Sequence, residues 1–142
     1  MKTNVREAIP SDFERLEEIL SQNNMLNYPK IDGKEAMKRV YERAGRYFLV
    51  AEVDRNVVGL IRGSYDGSRA IIHQMAVDKK YQRQGIGKVM MYEIAIRFKS
   101  DGAPSVSVTA TENSKSYYKS LSFSDIPITL MVAFDINKIA KK

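Results

Sequence analysis

Ala76-Val77-Asp78-Lys79-Lys80-Tyr81-Gln82-Arg83-Gln84-Gly85-Ile86-Gly87-Lys88 joins an apolar, β-rich run to an amphipathic helical run through a basic turn punctuated by glycine. Gly85 and Gly87 let the backbone approach a ligand with no Cβ in the way. The amides around them become the unpaired donors of the next helix's first turn, and together with the helix dipole they attract an anion. Lys79, Lys80, Arg83 and Lys88 stand in this stretch with no acid between 79 and 88. The local field therefore favours a polyanion over a lone carboxylate.

Spacing excludes two other glycine-rich phosphate motifs. A Walker loop needs a glycine five residues before its Gly-Lys and a Ser or Thr after it, where this chain has Gln82 and Val89. A dinucleotide fingerprint needs a third glycine where Met90 stands, and follows a first strand rather than falling in mid-chain. The remaining pattern, Gln82-x-x-Gly85-x-Gly87 after Met75-Ala76-Val77, resembles the pyrophosphate-binding motif of the GNAT superfamily of acetyl-CoA-dependent N-acetyltransferases.

Outward from this turn, the pattern supports that resemblance over nearly the whole chain. Ser11 predicts an N-cap for a helix over 12–22 with Phe13, Leu16, Ile19 and Leu20 on one face. Residues 23–30 read as a loop, and Asp32 as the cap of a second helix ended by Gly45. Runs 47–53 and 57–62 flank the hairpin signal Asp54-Arg55-Asn56, and 70–77 is the next strand after the turn at Tyr65-Asp66-Gly67. A helix over 87–99 with Val89, Met90, Ile94 and Phe98 inward, a strand over 105–110, a helix over 114–121 and closing strands near 126–136 complete the order. The helix between strands 70–77 and 105–110 makes those two parallel neighbours. The expectation is one α/β domain over 1–142: a mostly antiparallel mixed sheet with a splayed parallel pair, flanked by helices.

Composition narrows the chemistry. The 142 residues contain no cysteine, which excludes a disulfide framework, a thiolate metal site and a thiol nucleophile. No metal site is expected. No signal-peptide core and no apolar run of membrane-spanning length occur, so the reading is a cytoplasmic protein with no membrane partner. The net charge of +6 disfavours a large polycation such as a polyamine as substrate unless an acidic patch lies near the site. The cations are spread along the chain without a nucleic-acid-binding signature, which leaves nucleic acid as the weakest of the partner readings.

The resemblance implies roles for particular residues. In this family the pantetheine arm of acetyl-CoA lies against the exposed edge of the strand that precedes the cradle, as if it were an added strand. That assigns Met75, Ala76 and Val77 to pantetheine and Gln82, Arg83, Gln84, Gly85, Ile86, Gly87 and Lys88 to the pyrophosphate cradle. Tyr117-Tyr118-Lys119-Ser120-Leu121-Ser122-Phe123 resembles the family's Tyr-x-x-Leu-Gly-Phe. The position of Tyr118 makes it the acid that protonates the departing thiolate, or a residue that only packs with Leu121. Ser122 replaces the usual glycine, which predicts an altered turn. Asn113 is a cofactor contact or a helix N-cap.

His73, the lone histidine, falls by strand alternation on the face of Met75 and Val77. Some amine-acetylating relatives place a glutamate here as general base, a role open to His73, to Glu52 or to a water chain; the other reading is a hydrogen-bonded strand histidine. A serine hydrolase would need the same His73, but no Gly-x-Ser-x-Gly elbow exists. The resemblance therefore implies acetyl transfer from acetyl-CoA to a primary amine, small or protein-borne, with homodimerisation common in the family. The competing readings are a non-catalytic acyl-CoA-binding module on the same fold and a basic nucleic-acid-binding protein.

Overall fold

Phe48, Leu49, Val50 and Ala51 are each wholly buried, and a strand apolar on both sides must be covered on both faces. The computed structural model, which describes residues 2–141, shows how. Two compact units are present, one running to Val108 and one from Thr109.

The first unit holds a five-stranded sheet in the order β1 (Thr3–Glu7), β2 (Phe48–Val53), β3 (Asn56–Tyr65), β4 (Ala70–Val77) and β5 (Val106–Val108). Every neighbouring pair is antiparallel except β4 and β5, which are parallel. On one face lie α1 (Phe13–Gln22) and α3 (Lys34–Ala44), with the short α2 (Pro29–Asp32) between them in sequence. Phe13, Leu16, Ile19, Leu20 and Met37 pack there on Phe48, Val50, Leu60 and Ala76. On the other face lies α4 (Ile86–Ser100), which buries Ile86, Met90, Ile94 and Phe98. Asp54 and Arg55 both take positive φ, the geometry a two-residue hairpin requires to follow the sheet twist. The second unit contains α5 (Lys115–Ser120) and two short 3-10 turns, Glu112–Ser114 and Ile136–Lys138.

The fold class and the parallel pair agree with the expectation; several local readings do not. The strand Thr3–Glu7 has no sequence alternation to announce it and forms because its backbone pairs with β2 while Arg6 clamps Asp12 at 2.8 and 3.0 Å. Ser11 does not cap the first helix: Pro10–Asp12 is a 3-10 turn, and the Asp12 carboxylate accepts from Ile9 N–H at 2.9 Å. Asp32 ends α2, and Gly33 is the N-cap of α3. Val89 is 37% exposed, because the buried face runs along Ile86, Met90, Ile94 and Phe98 with Met91 beside them and leaves Val89 on the outer side. No closing strands form among the described residues of 126–136. Ile126, Ile128, Leu130, Met131 and Val132 are exposed, and β-rich sequence without a pairing strand does not become a ladder.

Candidate functional site

The parallel pairing of β4 with β5 is brief: Ala70 pairs with Val106, Ile71 with Ser107 and Ile72 with Val108, and there it stops. β4 continues to Val77 with that edge open. The divergence begins at a β-bulge, since Arg62 pairs with Gln74 but Gly63 with Ile72, leaving His73 as the extra residue. Gly63 is required here: a Cβ would sit 2.3 Å from the Ile71 carbonyl oxygen and 3.1 Å from Phe98 on α4. Gly63 thus faces α4, and Arg62 and Ser64 on either side of it face the α1/α3 layer.

The bulge overturns the facing expected for His73. Its Nε2 lies 2.9 Å from Ser64 Oγ, and its neighbour Gln74 accepts from Arg62 Nε at 2.9 Å. His73 therefore belongs to the face of Ser64, Arg62 and Gln74, away from Met75 and Val77, because an extra residue breaks the two-residue period. Packing around the ring lowers its pKa below the ordinary 6.5, and the Arg62 charge adds to the effect. Glu52 is no alternative: its carboxylate accepts from Asn4 at 3.2 Å and Arg6 at 3.3 Å, near the β2–β3 hairpin.

Strand geometry divides the three residues assigned to pantetheine. Asp78 N–H donates to Val58 C=O on β3 at 2.7 Å, so by alternation Ala76 also presents its peptide groups to β3. Met75 and Val77 present theirs to the open edge. There the Val77 carbonyl already accepts from Gln82 Nε2 at 2.9 Å and Asn23 Nδ2 at 3.1 Å. The Met75 peptide groups and Val77 N–H face the opening left by β5.

Beyond Val77 the chain is braced against α1. Buried Asp78 accepts from Arg15, from Gln22 at 3.4 Å and from Lys80 N–H at 2.8 Å; Gln22 in turn accepts from Lys79 N–H at 3.0 Å. Burial alone would raise the Asp78 pKa, but these hydrogen bonds outweigh it and hold the carboxyl below its usual range. Gln82 also donates to Asn23 Oδ1 at 3.0 Å, so its side chain fixes the loop from within and its place in the motif is structural. Arg83 and Gly85 take φ of +63° and +83°, and Gly85 is the N-cap of α4 without a side-chain cap. The first helical bond runs from Val89 N–H to Gly85 C=O at 3.1 Å, which leaves the amides of Ile86, Gly87 and Lys88 as first-turn donors. A Cβ on Gly85 would meet nothing within 4 Å. The cradle is open, positively charged and aimed outward, and it fits a pyrophosphate.

In the second unit, Tyr118 is half-buried, with edge-on contacts to Tyr117 (centroids 5.5 Å apart) and Phe123 (5.7 Å). Burial raises its pKa, and Tyr117 raises it further. Asn113 is exposed and does not cap the helix; that work falls to Thr111 and Ser114, with Thr111 N–H donating to Ser114 Oγ at 3.0 Å. Ser122 holds φ +76°, so the serine adopts the glycine conformation rather than altering the turn.

The bracing set Arg15, Gln22, Asn23 and Asp78, and the polar group Asp32, Arg62 and Gln74, were not singled out from sequence. A signal existed for the latter, since Gln74 and Arg62 interrupt apolar strands.

An open β4 edge running into a glycine cradle defines the class. A profile of the acetyltransferase (GNAT) domain family matches residues 17–130, and the chain belongs to that family, whose chemistry is acetyl transfer. An acetyltransferase of Photorhabdus laumondii is 28% identical over 102 residues, covering 72% of this chain and 71% of that protein. Ard1 of Thermoplasma volcanium matches structurally with a TM-score of 0.77 at 26% identity, over 87% of this chain and 84% of its own. The PaiA N-acetyltransferase of Thermoplasma acidophilum, solved in complex with coenzyme A, gives 0.72 at 17% identity over 86% and 87%, a likeness of fold. Among the described residues no helix is long and apolar enough to cross a membrane.

Proposed function

We propose that this chain transfers the acetyl group of acetyl-CoA to a primary amine by direct attack in a ternary complex. The observation that carries the reading is the edge of β4 left open from His73 onward, continuous with the cradle at the N-terminus of α4. Acetyl-CoA supplies the activated thioester. Met75 and Val77 offer backbone groups along the open edge, and the amides of Ile86, Gly87 and Lys88, with Arg83 and Lys88 nearby, offer the anion site.

In the reaction a C–N bond forms to the amine as the C–S bond breaks. Neutral His73, oriented by Ser64, accepts the proton the amine nitrogen loses, directly or through water. Tyr118 is assigned by its place in the motif to protonate the departing thiolate, and its raised pKa keeps the phenol protonated for that step. Both groups then exchange protons with solvent, which balances the cycle.

Calorimetric titration of acetyl-CoA into wild type and Gly85→Glu tests the cofactor site. Micromolar binding that the variant abolishes is expected, because the substitution places a carboxylate at the cradle and a side chain at φ +83°. Turnover of an amine library that falls on Tyr118→Phe with binding retained supports catalysis; binding with no turnover in wild type would leave the non-catalytic acyl-CoA module.

A further inference from the structure

Arg62 is an unusual arginine for this chain. Its side chain is only 12% exposed, yet of its five N–H donors only Nε makes a short bond, to Gln74 Oε1 at 2.9 Å. Nη2 reaches the Ile31 carbonyl and Asp32 Oδ1, both at 3.4 Å, the limit of a hydrogen bond. Among the described residues Nη1 has no hydrogen-bond partner, and it is open to solvent rather than buried. The same Asp32 Oδ1 also accepts from Gln74 Nε2 at 2.7 Å.

Other arginines show what the chain does when an ion pair is there for the fold. Arg6 takes Asp12 in a two-pronged fork at 2.8 and 3.0 Å, and Arg46 takes Asp101 at 2.6 and 2.9 Å. Arg62 and Asp32 form no such fork, and each is left undercompensated. Burial lowers the Arg62 pKa despite Asp32, and burial raises the Asp32 pKa despite Arg62. A mostly buried guanidinium with one prong open to solvent is a ready receptor for a carboxylate, which would engage it bidentately.

Its place matters as much as its chemistry. Arg62 lies on the α1/α3 face at the bulge, beside His73, whose titration its charge already perturbs. An anion held by Arg62 is therefore a near neighbour of the group assigned to take the amine proton.

We infer that Arg62 binds a carboxylate carried by the acceptor within a few bonds of its reacting amine, so that the acceptor is a small amino acid. This rests on the acetyltransferase reading above. It accords with the chain's positive charge, which disfavours polycationic acceptors.

The test compares L-alanine, L-alaninamide and O-phosphoethanolamine as acceptors for wild type, Arg62→Lys and Arg62→Met. Wild type is expected to prefer alanine over alaninamide by about 10- to 100-fold in kcat/KM. Arg62→Met should erase that preference through KM, and Arg62→Lys should restore part of it. Equal use of alanine and alaninamide, preference for the phosphate acceptor, or a preference unchanged in Arg62→Met would overturn the inference.

If none of the three is acetylated, the Nε–H resonance of Arg62, identified by its loss in Arg62→Lys, separates the two questions. A saturable shift with N-acetylalanine and none with N-acetylalaninamide upholds the carboxylate site whatever becomes of the transfer reaction; no shift with either refutes it.

Discussion

His73 shows how one inserted residue changes a role. On a regular strand it would share the face of Met75 and Val77, but the bulge brings it to Ser64 and Arg62. There its pKa is lowered by packing and by the Arg62 charge, which keeps the imidazole neutral further into acid than a free histidine. For a base the sign is favourable: the competent form persists as pH falls, and is lost only below the ordinary 6.5. The pH profile of kcat/KM should show an ascending limb with its midpoint under 6.5, and His73→Gln should remove that limb. A limb that survives the substitution would assign the proton to another group.

Among the elements, helix ends repeat one solution. After α1, Met25 N–H donates to Leu20 C=O and Asn24 N–H to Ser21 C=O; after α4, Ala103 bonds Phe98 and Gly102 bonds Lys99. After α5, Phe123 bonds Tyr118 and Ser122 bonds Lys119. Each is a Schellman ending, with Asn24, Gly102 and Ser122 in the left-handed region at φ +56°, +99° and +76°. The Tyr118–Phe123 ring contact is the apolar seal of the third, so the Tyr-x-x-Leu-Ser-Phe pattern has a capping meaning beside the role proposed for Tyr118. Asparagine and glycine suit this conformation, whereas serine is strained in it. Ser122→Gly should therefore stabilise the second unit by roughly 0.5–1 kcal/mol, read as a higher urea midpoint followed by Tyr118 or Tyr117 fluorescence. No rise would show that the strain is relieved elsewhere.

At the scale of the whole molecule, buried carboxylates tie stability to pH. Burial pushes Asp12 and Asp78 upward, but the Arg6 fork with Ile9 N–H, and Arg15 with Lys80 N–H, bring both below the ordinary 3.8. The folded chain then binds fewer protons than the unfolded one, so this stability is complete above 3.8 and drains away as pH falls through the lowered values. Asp32, raised by burial, acts with the opposite sign and offsets part of the loss. Urea midpoints should hold from pH 7 to pH 5 and drop below pH 4, and Asp78→Asn should show a shallower drop from a lower starting stability. An unchanged acid slope in that variant would remove Asp78 from the account.

Local rules account for much of what was legible in sequence. Strand 70–77 was readable to the residue, and the buried row Met90, Ile94 and Phe98 followed from helical period. Each depends on neighbours in sequence, where period and backbone sterics act directly. The strand Thr3–Glu7, the bulge at His73, the bracing of the cradle by Gln22 and Asn23, and the one short bond of Arg62 join residues distant in sequence or register one strand on another. Sequence alone determined the family motif and most of the element order between residues 12 and 121. Only tertiary structure decided which way His73 and Arg62 face and which polar groups pair, because facing is set by strand register and pairing by three-dimensional neighbours.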